Sequence, residues 1–449
     1  MTSSQVSLPL EEKTSSAAEG YVIIGNSTAA IGAIEGIRKI DIKTPITVIS
    51  DEPYHTYSRP LISYYLGGKT TEEKMKYRKP DFYEKSKVTI LLDHKVITID
   101  IPGKNLLLED GQLIKYGKLL VATGSRPFIP PMEGLGKANI FNFIKLDDVK
   151  AIEKLAVKGS RAVVVGASFS GLKAVEALVK RGVDVTVIDI MNRIMPRVLD
   201  ETASNMAEVI LREHSVKVLL ENTVCRILDD SVNYGNSDNN ENNEKTLATG
   251  VLLKDGTTIP CDFIILAIGV RCNISILEGT GLKTGRGVIV NNRMETNIDG
   301  IYAAGDVAEG FNMLEGKNME IAIIPNAYYQ GETAGINMAG GNASFDKGFI
   351  MNSMPLFDQP FISAGISEEA PGLDVIKKFK PEKKSYKKFY IKDKALVGYL
   401  LVNDVDRAGI YTDLIRTKAD ISTYMDQLCN DDFGFLTFSK EHRKEKVLA

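Results

Sequence analysis

The feature that most narrows what this chain can fold into is a pattern that it repeats. Near the N-terminus, Tyr21-Val-Ile-Ile runs into Gly25-x-Ser27-x-x-Ala30, an amphipathic stretch continues to residue 40, an apolar run covers 46–49, and Asp51 closes the block. Residues 162–165 open a second copy. It runs into Gly166-x-Ser168-x-x-Gly171, continues helix-like to residue 180, gives an apolar run at 185–188 and closes on Asp189. Short unbroken apolar runs read as buried strands and the 3.6-period stretches as helices. Each block therefore predicts strand, tight turn, helix, strand, acid, which is the βαβ unit of a parallel sheet.

The turns carry chemistry as well as topology. Gly25 and Gly166 supply the tight bend, and the small residues Ala30 and Gly171 let the helix pack on the strand. The middle position of such a turn is normally glycine, so that the backbone can approach a pyrophosphate. Here it is Ser27 in one copy and Ser168 in the other, and a hydroxyl there can itself donate to a phosphate. The helix N-terminus offers free N–H groups and the positive end of its dipole to the anion. Taken singly, each turn is also what an ordinary βαβ unit shows. Two of them, each closed by an acid 23–26 residues on, imply two dinucleotide sites. Asp189 would accept ribose hydroxyls and repel a 2′-phosphate, which favours NADH over NADPH. Arg193 close by pulls the other way, since a guanidinium can pair a phosphate bidentately.

The rest of the chain limits what surrounds these units. A formal net charge of -3 argues against a dedicated nucleic-acid binder. No apolar run approaches the roughly 18 residues of a membrane span. Residues 1–19 lack the basic start and apolar centre of a secretory signal, read as a disordered tail, and leave the cytoplasm as the expected compartment. The four cysteines, Cys225, Cys261, Cys272 and Cys429, make no C-x-x-C or C-x-x-x-x-C pair, so neither a redox disulfide nor a metal site is expected. Further strands are expected at 88–92, 96–99, 105–109, 118–122 and 263–267. Residues 229–246 are Asn-rich and lie between strand-like 224–228 and 250–253, so they read as a long exposed hairpin loop. From 345 to 449, short strands at 361–364, 386–391 and 395–401 precede an amphipathic helix at 407–418, suggesting a smaller α+β domain.

Four further segments carry a resemblance to a known family. They are Leu120-Val-Ala-Thr-Gly-Ser-Arg126-Pro127, with a partner at Leu266-Ala-Ile-Gly269-Val-Arg271; Thr296-Asn-Ile-Asp-Gly-Ile-Tyr-Ala-Ala-Gly305-Asp306-Val; Pro325-Asn-Ala327-Tyr-Tyr-Gln330-Gly331; and Tyr57-Ser-Arg59-Pro60-Leu-Ile-Ser-Tyr64. Over about residues 20–420 the chain resembles the pyridine-nucleotide-dependent FAD oxidoreductases of the glutathione-reductase superfamily. Within it, the chain is most similar to the branch of NADH:rubredoxin reductases, ferredoxin reductases and the flavin module of nitrite reductases.

The resemblance implies an α/β fold: two Rossmann-like dinucleotide-binding domains and a small α+β C-terminal domain. FAD would be held by residues 20–150 and 271–344, NADH by 151–270, and 345–449 would serve dimerisation or docking. For FAD it implies Gly25, Ser27, Ala30, Asp51, Arg59, Val96, Thr123, Gly124, Arg126, Gly305, Asp306, Ala327 and Gln330. Asp306 would take a ribityl hydroxyl while the next backbone N–H meets the pyrophosphate. The helix at 325–331 would turn its positive end toward the flavin. For the nicotinamide dinucleotide it implies Gly166, Ser168, Gly171, Asp189 and Gly269.

Where the chain departs from the family, the departures select among its activities. Thiol-using members carry cysteine close to position 60, where this chain has Arg59 and Pro60. Ferredoxin-reductase-like members often pair a lysine at the place of Tyr64 with a glutamate at that of Lys173; here the lysine site is aromatic and the acid site basic, so the cation beside the flavin would come from the other domain. Cys272 stands where proline is common. With no cysteine relay, no metal ligands and no acid–base constellation, cofactors would carry the chemistry, and electrons would leave directly from the flavin edge. The expected function is electron transfer between NADH and a small one-electron iron–sulfur carrier, rubredoxin- or ferredoxin-like, with no nucleic-acid or membrane partner; a homodimer fits too. Two alternatives stay open: an NADH oxidase or small-molecule reductase, and a dinucleotide-dependent regulatory binding protein.

Overall fold

The computed structural model describes residues 20–229, 246–434 and 437–438. The expected tail at 1–19 and nearly all of the Asn-rich loop lie outside the described residues.

Two parallel sheets form the frame. In the first, the strand order is Ile301–Ala303, Lys118–Val121, Tyr21–Ile24, Ile46–Ile49, Val88–Leu91, and every pairing is parallel. The strands read as near-continuous apolar runs because both faces are covered. Tyr21–Ile24 lies at the switch point, since the chain leaves it toward Ile46–Ile49 and later returns on its other side at Lys118–Val121. Ligands of open α/β sheets bind outside the carboxyl ends of strands at such a point.

One face of this sheet is covered by a helix pair, Thr28–Ile40 and Ile324–Met338. They pack backbone to backbone. A Cβ on Gly32 would meet the Tyr328 carbonyl oxygen at 2.2 Å, and one on Gly331 would meet the Ala29 carbonyl oxygen at 2.0 Å. This close packing joins the first glycine turn to a helix three hundred residues away.

The second sheet repeats the plan with the order Lys217–Leu219, Asp184–Ile188, Arg161–Val165, Phe263–Leu266, Ile140–Asn142, again all parallel. Its outer strand differs from the sequence expectation. Ile140–Asn142 falls before the boundary set at 150, yet it pairs with Phe263–Leu266. Three residues carry too little periodicity to be assigned before their partner is seen. Strands Val224–Asp229 and Ala248–Leu253 pair antiparallel as the flanks of a hairpin.

A two-stranded ribbon, Ser125–Pro127 against Val270–Cys272, lies where the chain passes out of the first unit and back into it. The third unit is a five-stranded antiparallel sheet, ordered Met351–Leu356, Gln359–Gly365, Ala395–Val402, Ser385–Lys392, Asp374–Lys380, with the helix Ala408–Thr417 packed on it. The first and last of these strands were not expected from the sequence, because their polar and Lys-rich residues mask any alternation. Met354 and Leu356 pack into the same core as the second sheet and Tyr57, Ile62 and Leu66, so all three units meet there.

Candidate functional site

The first turn is built as its sequence demands. Gly25 has φ 111°, and a Cβ there would meet the Ala122 carbonyl oxygen at 2.1 Å, so only glycine fits. Ser27 precedes the first helical residue without using its side chain as a cap, and its hydroxyl bonds to no described residue. Ala30, in the first turn of that helix, is fully buried. Val96 is buried and opposite Leu108. Asp51 is exposed and bridges to Lys145 at 2.8 Å. Asn26, which the sequence reading passed over, ties the turn to the 54–57 segment: its Nδ2 donates to the Tyr54 carbonyl and its Oδ1 accepts from the Tyr83 hydroxyl.

That segment leads to Arg59. Its guanidinium donates to Glu52 Oε1 at 2.5 Å, to the Tyr57 hydroxyl and to the Ile144 carbonyl. Glu52 is buried and also accepts from the Tyr57 hydroxyl at 2.6 Å. Burial works against the arginine's charge, but Tyr57 and Glu52 outweigh it and raise its pKa. Arg59 is thus held in place by a buried acid that the sequence reading did not name. Two consecutive acids, Asp51 and Glu52, gave no way to tell which faced inward.

Asp306 lies within the electrostatic reach of Arg59. Burial raises its pKa, while the Ser125 hydroxyl and the Arg59 charge oppose that rise. Its Oδ2 accepts from Ser125 at 3.1 Å, and Oδ1 has no partner among the described residues. Gly305 has φ 81°, and its N–H is taken by Gln330 Oε1 at 2.8 Å. Ala327 lies beside it, 3.7 Å from where a Gly305 Cβ would be. Thr123 Oγ1 donates to the Asn273 carbonyl, and Gly124, with φ 66°, accepts from Asn273 N–H. Arg126 is exposed on the ribbon opposite Arg271. Ser27 Oγ, Asp306 Oδ1 and the Val307 N–H, which donates to no described residue, are donors and an acceptor suited to the pyrophosphate and ribityl chain of FAD.

The second turn is more self-contained. Gly166 has φ 108°, and a Cβ on Gly171 would meet the Gly166 carbonyl oxygen at 2.0 Å. Ser168 caps its helix and donates to the Ala267 carbonyl. Asp189 accepts from Ala167 N–H at 2.6 Å and from Met191 N–H at 2.9 Å, so its carboxylate is pinned against the turn. Gly269 has φ 111°. Beside Asp189 opens a cleft of about 520 Å³ lined by Ile190, Met191, Asn192, Glu221, Asn222, Thr223 and Lys254. The exposed Ile190 and Met191 offer an apolar edge, next to Asp189, that the sequence reading missed. Arg193 donates through Nη2 to the Pro196 carbonyl at 3.3 Å.

Tyr64 and Lys173 do come together. The Lys173 ammonium lies 4.9 Å from the Tyr64 ring centroid and donates to Glu176 and to the Pro355 carbonyl. It is therefore a tether between the second unit and the third. Among the described residues no cluster of His, Cys, Asp and Glu could hold a metal ion, and no helix is long and apolar enough to cross a membrane.

Comparison with known proteins completes the description. Residues 20–331 match the family model described as pyridine nucleotide-disulphide oxidoreductase, and residues 351–419 match the rubredoxin NAD+ reductase C-terminal domain. The chain is 30% identical over 406 residues to NADH-dependent phenylglyoxylate dehydrogenase subunit epsilon of Aromatoleum evansii, across 90% of this chain and 92% of the relative. It is 30% identical over 318 residues to putidaredoxin reductase of Pseudomonas putida, across 70% and 72% of the two chains. The nitrite reductase and the nitrate reductase electron transfer subunit of Bacillus subtilis are matched over only 48% and 53% of their lengths. In the crystal structure of the covalent putidaredoxin reductase–putidaredoxin complex, the matching chain superposes with a TM-score of 0.80 at 25% identity, covering 90% of this chain and 94% of that one.

Proposed function

The chain belongs to the pyridine nucleotide-disulphide oxidoreductase family, and from that premise we propose that it passes electrons between NADH and a one-electron iron–sulfur carrier of rubredoxin or ferredoxin type. It is an FAD-dependent NAD(P)H oxidoreductase. FAD, when bound, supplies the exchange between paired and single electrons that side chains cannot perform.

The observation that carries the reading is the duplicated phosphate turn at the carboxyl ends of two parallel sheets, with Asp306 beside the first. In our assignment Gly25 and Ala30 shape the first turn, and Ser27 Oγ and the Val307 N–H donate to the FAD pyrophosphate. Asp306 orients the ribityl chain, with Arg59 fixed by Glu52 facing the same space. Gly166 and Gly171 shape the second turn, and Asp189 takes the ribose of NADH. We assign residues 20–150 and 271–344 to FAD, with strand Ile140–Asn142 in the second sheet. We assign 151–270 to NADH and 345–449 to docking or a homodimer contact. We place the reaction in the cytoplasm, beside the NADH pool.

The C-terminal match to a rubredoxin reductase domain supports a protein acceptor, as does the likeness to a reductase crystallised in a covalent complex with putidaredoxin. Anaerobic rapid mixing with NADH, and separately with NADPH, tests the reading. Bound flavin should bleach with NADH, and a rubredoxin or ferredoxin should restore its colour. Fast recolouring by air alone would instead favour an oxidase, and no bleaching by either nucleotide would refute the assignment.

A further inference from the structure

Cys272 ends the ribbon strand Val270–Cys272, opposite Ser125. It is buried, and its Sγ lies 3.0 Å from the Asp306 carbonyl oxygen and 3.8 Å from Glu320 Oε1. Burial first, then the neighbouring acids, pushes the thiol pKa up to about 12. The sulfur is therefore protonated at neutral pH and acts as a donor. The ribbon thus grips Asp306 twice: Ser125 donates to the carboxylate and Cys272 to the carbonyl.

The Asp306 carbonyl and the Val307 N–H belong to one conjugated peptide group. A donor placed on the carbonyl draws charge through that group and strengthens its N–H as a donor. The Val307 N–H has no acceptor among the described residues, and Asp306 Oδ1 beside it is likewise without a protein partner. Gly287 leaves room for this arrangement, since a Cβ there would meet Cys272 Sγ at 3.1 Å and the Val307 carbonyl oxygen at 2.5 Å.

We propose that Cys272 is a positioning residue for FAD: its thiol orients and polarises the 306–307 peptide so that the Val307 N–H meets the cofactor's pyrophosphate. The proposal rests on the FAD assignment of the first unit.

The full chain, stripped of flavin, is titrated with FAD as wild type, Cys272→Ala and Cys272→Ser, following quenching of flavin fluorescence. The alanine variant should bind FAD about 3–10-fold more weakly, the loss expected of one hydrogen bond. The serine variant keeps a donor and should stay within about twofold of wild type. In wild type the infrared S–H stretch should move to lower frequency when FAD is added, because the bond strengthens. A packing role predicts another order, in which serine, a buried hydroxyl, is no better than alanine. Equal affinity of all three forms, serine as weak as alanine, or an unmoved S–H stretch would each overturn the proposal. If wild type itself takes up no FAD, the assignment of the first unit fails, and this proposal falls with it.

Discussion

Ser168 and Ser27 hold the same place in two copies of one turn, yet among the described residues only the Ser168 hydroxyl is bonded: it donates to the Ala267 carbonyl at 2.9 Å and accepts from Gly171 N–H at 3.3 Å. Ser27 Oγ meets no described residue. The Ser168 hydroxyl belongs to the fold, and we propose that the Ser27 hydroxyl serves FAD. Ser168→Ala should therefore destabilise the protein by about 1 kcal/mol, the worth of a cap and its bond. Ser27→Ala should leave the melting temperature of the flavin-free protein unchanged and raise the dissociation constant of FAD. Calorimetry of both variants with and without FAD checks this. A Ser27→Ala protein that holds flavin as tightly as wild type would remove Ser27 from the site.

Asp189 is pinned by the Ala167 and Met191 N–H groups beside the cleft that Ile190 and Met191 line. Asp189→Ala removes the acceptor for ribose hydroxyls and the repulsion of a 2′-phosphate together. The KM for NADH should rise by about tenfold, as for the loss of one charge-assisted hydrogen bond, while the KM for NADPH should fall or hold. Steady-state kinetics with a dye acceptor separates these outcomes. A parallel rise for both nucleotides would mean that the carboxylate only braces the turn.

The repeat made the two parallel sheets legible because it recurs in the part of the chain that must be buried on both faces, where apolar runs are unbroken. The segments around Gly305-Asp306 and Tyr57-Ser-Arg59-Pro60 pointed to residues that the fold sets near one another across the chain. The partners of those residues could not be read in advance. Glu52 holds Arg59, Asn26 holds the 54–57 segment through Tyr83, and Gly331 meets Ala29, all contacts between distant stretches with no periodic signal. The Lys-rich strand Asp374–Lys380 was hidden for a different reason. It lies at a sheet edge, where charged residues oppose pairing with other chains and erase the alternation that marks a strand.

Lys173 contacts the Tyr64 ring, Glu176 and the Pro355 carbonyl. Lys173→Met keeps the stem but leaves the carbonyl without its donor. The cost should be about 1 kcal/mol, the low end for an unmet acceptor, because Pro355 is only half-buried, and Glu176 would still pair with Lys180. If the lysine also stands beside bound flavin, the rate of bleaching by NADH should fall as well. Chemical denaturation and anaerobic mixing report the two effects separately. Wild-type values in both would show that neither contact matters.

Asp200 joins the second unit to the C-terminal sheet. It caps the helix Glu201–Glu213 through Ala203 N–H, and its Oδ2 accepts from the Tyr386 hydroxyl at 2.7 Å and the buried Lys388 ammonium at 2.9 Å. Burial alone would raise its pKa, but the bonds from Ala203, Tyr386 and Lys388 outweigh it and hold the carboxyl below its ordinary value. A depressed folded-state pKa means that the native protein binds this proton less readily than the unfolded chain. The stability so gained is complete above the unfolded value, about 3.9, and is lost as pH falls through the folded one. The junction should therefore loosen in acid below about pH 4. Asp200→Asn keeps an acceptor for the cap but removes the charge opposite Lys388. At neutral pH it should cost toward the lower end of the about 3–5 kcal/mol expected for breaking a buried pair, because Glu369 still reaches Lys388 at 2.8 Å. Its stability should also vary less with pH between neutrality and the acid limb. Denaturation midpoints measured across that range for both proteins test the assignment, and parallel curves would show that another carboxylate controls the acid transition.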